Sequence, residues 1–132
     1  MKLASLETFT VGNPPPGFGG RYFIFVRLRT ACGINGVGEI YSAAFGPAIV
    51  CAMARDVFER YLADRSPSHV ERFWHRAHGS GFTHRPDGTM QAVISGLEMA
   101  CWDIVGKACD QPVYELLGGK VHERLRSYTY LY

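Results

Sequence analysis

The sequence predicts an α+β domain: a three-stranded antiparallel meander followed by a helical bundle. Three observations predict it. Apolar residues alternate with period two in the segments before Pro47. After Pro47 they recur at three- and four-residue intervals. Glycine- and proline-rich stretches fall between these segments and supply the turns.

The first strand covers Lys2 to Val11. The next stretch, Gly12-Asn13-Pro14-Pro15-Pro16-Gly17-Phe18-Gly19-Gly20, is neither regular helix nor central strand, because three prolines remove three backbone donors. Arg21 to Thr30 forms the second strand. Tyr22, Ile24, Val26 and Leu28 share one face, while Phe23 and Phe25 begin the other, which ends in Arg27 and Arg29. Both faces start apolar, as in a central strand. Gly33 to Gly36 carries turn chemistry, and Val37 to Ile40 is a short third strand.

Pro47 suits the first position of a helix whose apolar stripe is Ile49, Met53, Val57 and Tyr61. Ala63-Asp64-Arg65-Ser66-Pro67 breaks it. Ser68 and Glu71 then stand at the spacing of a capping box for a second helix, with Val70, Phe73, Trp74 and Ala77 on its apolar side. Gly79-Ser80-Gly81 ends this helix, and the loop to Gly88 brings up Asp87 or Thr89 as the cap of a long third one. There Met90, Val93, Ile94, Leu97, Ala100, Cys101, Ile104, Val105 and Ala108 make a broad apolar surface, and Asp103 and Lys107 are spaced for an ion pair. Gly96 opens a place for close backbone approach. Pro112 restarts the chain, Val113, Leu116 and Leu117 pack, and Gly118-Gly119 stops the last helix. Arg124 to Tyr132 alternates once more, a strand without a partner in the meander.

Composition narrows the function classes. The chain has 132 residues, 47% of them hydrophobic and 20% charged, as expected of one folded domain. A net charge of +2 without a dense Lys/Arg cluster argues against nucleic acid. No apolar run approaches the ~20 residues of a membrane span, and the N-terminus lacks a signal peptide's apolar segment. Cys32, Cys51, Cys101 and Cys109 form no CxxC pair, so reduced thiols in a cytoplasmic protein are the simplest reading.

Few constellations carry chemistry. Glu71, His75 and His78 share a helix face with His84 following, but a metal needs three or four converging ligands, and solvated histidines at a helix end are the simpler reading. Glu98 and Asp103 read as a packed polar network, with Asp103 paired to Lys107 or to an arginine such as Arg126. Gly17-Phe18-Gly19-Gly20 does not match GxGxxG and opens no helix, which argues against phosphate binding.

Two segments carry a resemblance. Thr30 to Glu39, TACGINGVGE, resembles a hairpin closed by Gly-x-Gly-Glu in the mandelate racemase and muconate lactonizing enzyme branch of the enolase superfamily. Val93 to Gly119, with Trp102-Asp103-Ile104 and Gly106-Lys107, is similar to that family's first signature region. The order of elements resembles its N-terminal capping domain. Val93 and Glu98 depart mildly from the family pattern, and the loop Gly79 to Thr89 is longer than in many members.

The resemblance implies a capping domain over residues 1–120. Residues 121–132 then form a linker and the first strand of a (β/α)8 barrel that would carry the chemistry. It implies a Mg²⁺-dependent enzyme that removes the proton α to a carboxylate, with an acid-sugar dehydratase favoured over a racemase or cycloisomerase. A small carboxylate substrate (a sugar acid), the barrel and a homo-oligomeric assembly are the implied partners. Catalytic and metal-binding residues belong to the barrel, so the 132 residues alone should be inactive. Two loops of the capping domain close over the site in the family. They correspond to Gly12–Gly20 and Tyr41–Phe45, with Asn13, Phe18, Tyr41 and Phe45 as candidate substrate-binding residues. On the residues alone, the reading favoured is that Pro14–Pro16 is only a rigid turn with Phe18 packed on its own sheet; with the resemblance, the lid is favoured. A stand-alone α+β binding module is the reading from a different class.

Overall fold

The computed structural model describes residues 1–42, 44–79 and 87–128. The first three elements are β1 (Leu3–Gly12), β2 (Tyr22–Thr30) and β3 (Asn35–Ile40). They form one antiparallel sheet in the order β1-β2-β3, as the alternation predicts. Its register pairs Gly12 with Tyr22 at one end and Arg29 with Asn35 toward the other. Thr30 fixes the β2–β3 turn: its hydroxyl accepts from Ile34 N at 2.9 Å and lies 3.0 Å from Ile34 O. Buried Ile24, Val26, Leu28 and Ile40 give the sheet its core face.

Helices α1 (Pro47–Tyr61), α2 (Val70–His78), α3 (Gly88–Cys109) and α4 (Val113–Leu116) follow. α3 is the central element, packed on β2 and β3 and flanked by α1 and α2. Its Val93, Ile94, Leu97, Ala100, Cys101 and Ile104 are buried against the sheet and both helices. Asp87 is its N-cap, accepting from Thr89 N and Met90 N at 2.9 and 3.1 Å. Asp110 ends it in the left-handed region.

The approach of α3 to β3 is unusually close, and glycine permits it. A Cβ at Gly38 would collide with the carbonyl oxygen of Gly96, and one at Gly36 with that of Ala100. A Cβ at Gly96 would lie 2.5 Å from Ile40 Cγ1. The role expected of Gly96 therefore holds: it lies against Gly38, Glu39 and Ile40 of the third strand.

Four expectations are corrected. The capping box at Ser68 and Glu71 does not form: the N-cap of α2 is His69, which places Glu71 one position too early to reach back. Ser68 Oγ instead meets Ser66 Oγ at 2.8 Å. The α1 stripe is rotated. Val50, Cys51, Ala54, Val57 and Phe58 are buried, while Ile49 is 52% exposed. Steps of four alone spiral around a helix, and the buried side mixes steps of three and four. In α4 the single turn offers one face, so Val113 and Leu116 are half-buried and Leu117, past the turn, is exposed. Trp74 is also partly exposed, stacked on His78 with centroids 4.6 Å apart.

Two expectations fall largely outside the described residues. Of the long loop before α3, positions 80–86 are not described. Of the strand over Arg124 to Tyr132, the described part ends at Tyr128 and adds no strand to the sheet.

Candidate functional site

The two loops expected to act leave the same end of the sheet. One joins β1 to β2; the other follows β3. Asn13 sits at the neck of the first, where its backbone N–H donates to Arg21 O at 2.9 Å. Its side-chain nitrogen donates to Phe18 O and to Gly20 O, both at 2.7 Å. Gly17, Gly19 and Gly20 take positive φ values of 72, 83 and 137°, which glycine alone adopts without strain. Two internal turns complete the loop, Gly17 N to Pro14 O and Gly20 N to Gly17 O. Phe18 is held near the tip, 59% exposed.

The second loop presents Tyr41, 78% exposed, and Phe45, 48% exposed. The Tyr22 hydroxyl, at the start of β2, donates to Phe45 O at 3.2 Å. Between the loops lies an open cleft of about 230 Å³, lined by Gly19, Gly20, Arg21, Tyr22, Tyr41 and Ser42 among others. The structure thus brings Tyr41 together with the glycines of the first loop, whereas Phe18 and Phe45 stand outside the lining. Ser42 Oγ is buried in the cleft wall and makes no hydrogen bond among the described residues. A buried hydroxyl without a partner is a place for a polar ligand group or a water. Sequence reasoning missed Ser42 and Tyr22, because a single loop serine has no periodic signal and Tyr22 reads as one more apolar strand residue.

The remaining constellations are structural. His75 and Glu71 are 3.9 Å apart and largely exposed. His78 meets Gln91 Nε2 at 2.5 Å and stacks on Trp74, while His84 lies outside the described residues. Among the described residues no three His, Cys, Asp or Glu side chains converge as metal ligands. Glu98 accepts from Trp102 Nε1 at 3.2 Å. Asp103 takes Lys107 rather than Arg126 as its partner, at 2.7 Å, and also accepts from Val37 N at 2.9 Å. No helix among the described residues is long and apolar enough to cross a membrane.

Comparison with known proteins agrees with this architecture. The family model for the mandelate racemase / muconate lactonizing enzyme N-terminal domain matches residues 18–118. A D-galactonate dehydratase from Verminephrobacter eiseniae (strain EF01-2) is 34% identical over 99% of this chain. That match takes in 31% of the relative, so the chain spans about a third of the length of the curated relatives it matches. A crystal structure from Labrenzia alexandrii DFL-11, provisionally assigned as a mandelate racemase/muconate lactonizing enzyme, is 67% identical. It superposes with a TM-score of 0.96 over 100% of this chain and 34% of that one. A mandelate racemase/muconate lactonizing enzyme from Jannaschia sp. CCS1 is 52% identical, with a TM-score of 0.95, over 100% of this chain and 34% of its own.

Proposed function

This chain belongs to the mandelate racemase / muconate lactonizing enzyme family, of which it carries the N-terminal domain, and on that premise we propose that it caps the active site of an acid-sugar dehydratase. The observation that carries the capping role is the shared cleft, in which Tyr41 and Ser42 of one loop meet Gly19 and Gly20 of the other. Phe18, Tyr41 and Phe45 are the lid side chains in this reading, and Asn13 belongs to the first lid loop. Residues 1–120 form the cap, and residues 121–132 the linker and first strand of a barrel. The apolar side chains of Tyr114, Leu117, Val121, Leu125 and Tyr128, all substantially exposed, support docking against such a barrel.

The chemistry is abstraction of the proton α to the substrate carboxylate, followed by loss of the β-hydroxyl. The magnesium ion that the family implies has no ligand set among the described residues. What this chain supplies is closure. Aromatic side chains on two short, braced loops exclude water and shape the space for a polyhydroxylated acid, with the Ser42 hydroxyl available to one of its oxygens. The dehydratase reading draws on the activity named for the curated relative. A racemase or cycloisomerase is the second reading, which the family's own description keeps in view. A reducing, cytoplasmic setting fits four free thiols, and a homo-oligomer fits the exposed apolar surface.

The test is the full-length protein with Mg²⁺, assayed against D-galactonate and other sugar acids. A dehydratase forms a 2-keto-3-deoxy acid, detectable as its semicarbazone. Exchange of the α-proton in D2O without loss of water selects the racemase. Neither signal, across a broad panel of acids, favours a non-catalytic binding module.

A further inference from the structure

We propose that Asn13 is a positioning residue, whose side-chain amide shapes the first lid loop and keeps no N–H to donate to substrate. This rests on the lid reading above and assigns the origin of the lid's form.

Three glycines at positive φ give the loop its turns but nothing that holds it, because glycine has the widest conformational freedom of any residue. The prolines stiffen only the stretch before them. Two backbone turn bonds hold the loop locally, and the side-chain restraint across it comes from Asn13. Its amide nitrogen carries two hydrogens, and the two 2.7 Å bonds to Phe18 O and Gly20 O use both. No side-chain donor remains for a substrate.

The bonded carbonyls bracket Gly19 and fix the backbone on which Phe18 is mounted. The chemistry also selects the residue: an Asp carboxylate has no hydrogen to donate, and a serine hydroxyl has one. The restraint is anchored in the sheet, since Asn13 N bonds Arg21 O immediately beyond the terminal Gly12–Tyr22 pair. Tyr22 in turn holds Phe45 O. Both lid loops are therefore tied to one end of the sheet, the first through Asn13 and the second through Tyr22.

The experiment is hydrogen exchange by mass spectrometry on the full-length protein, following a peptide that covers residues 12–22 in Asn13→Asp, Asn13→Ala and Asn13→Ser. At pH 7, N13D and N13A should exchange this peptide about tenfold faster than the unsubstituted protein, and N13S should fall between, as expected for two, two and one lost hydrogen bonds. Peptides from α3 should be unchanged. In N13D alone, the excess rate should shrink below about pH 4, where the protonated carboxyl regains one donor. A residue that only filled space would show neither the N13D defect nor its pH dependence. Unchanged exchange in N13A, or N13D matching the unsubstituted protein at pH 7, overturns the proposal. Steady-state constants separate it from the lid reading. Faster loop exchange with a raised KM and a nearly constant kcat supports both; faster exchange with both constants unchanged leaves the role of Asn13 standing and removes the lid.

Discussion

The backbone N–H of Val37 donates to the carboxylate of Asp103 at 2.9 Å, so the open edge of the sheet is closed by a helix side chain. Lys107 adds the complementary bond, its Nζ lying 2.9 Å from Asn35 O and 2.7 Å from Asp103 Oδ2. An edge strand with unpaired groups is a template for another strand. Here a donor and an acceptor of that edge are occupied.

Asp103→Ala should therefore destabilise the fold by about 1–2 kcal/mol, the cost of a lost charged hydrogen bond and an unpaired edge group. Urea denaturation measures this. The variant should also self-associate more readily on light scattering, and Asp103→Asn, which keeps an acceptor, should recover most of the loss.

Gly38→Ala should cost about 3 kcal/mol or more, because the added carbon meets helix backbone that has no rotamer to yield. Gly12→Ala is the control. Nothing lies within 4 Å of a Cβ there, and its denaturation midpoint should move little. Equal midpoints for the two variants would contradict the close packing of α3 on β3.

The four thiols should separate by reactivity. Burial, and then the nearby Glu98 charge, push the Cys101 thiol up to about 12. Cys51 is also buried, while Cys32 and Cys109 are exposed. A hydrogen bond from Thr30 holds the Cys32 thiol below its ordinary value. A disulfide reagent at pH 8 should label Cys32 first, then Cys109, and reach Cys101 only on unfolding. The raised value of Cys101 also has a sign for stability. Its contribution is complete below the ordinary value near 9 and is lost as pH rises toward about 12.

At the acid end the sign reverses. Arg27 hydrogen-bonds Glu7 and holds its carboxyl below the usual value. That contribution is present at neutral pH and disappears as pH falls through the lowered value. Glu7→Gln should flatten the acid limb of a melting-temperature profile with only a small change at pH 7, since the pair is exposed.

Much of this molecule is written in residue periodicity. Ile24, Val26 and Leu28 announce the core face of β2, and Val93, Leu97, Ala100 and Ile104 that of α3. Periodicity fails where several apolar residues compete for one face, as with Ile49 and Val50 in α1, since the choice belongs to the partner surface. It fails again at Gly36, which reads as a turn residue, and at Gly38, which reads as one more strand position. Only the position of α3 shows that they make room for a helix. The loops resemble a family's lid in sequence, but the bonds that shape them run from Asn13 and Tyr22 to backbone carbonyls, and a carbonyl carries no residue identity. The curvature that brings Tyr41 and Ser42 beside Gly19 and Gly20 is likewise a property of the folded sheet.

Gly38 and Gly96 bring strand and helix into backbone contact, and β3 runs directly into Tyr41 and Ser42. At Gly38 the nearest atoms across the contact are helix backbone, with no side chain between. The cleft wall therefore hangs from a strand seated directly on helix backbone, and the position of Tyr41 is referred to α3 through Gly38. A residue larger than glycine at position 38 would thus be felt in the cleft without touching anything that binds there.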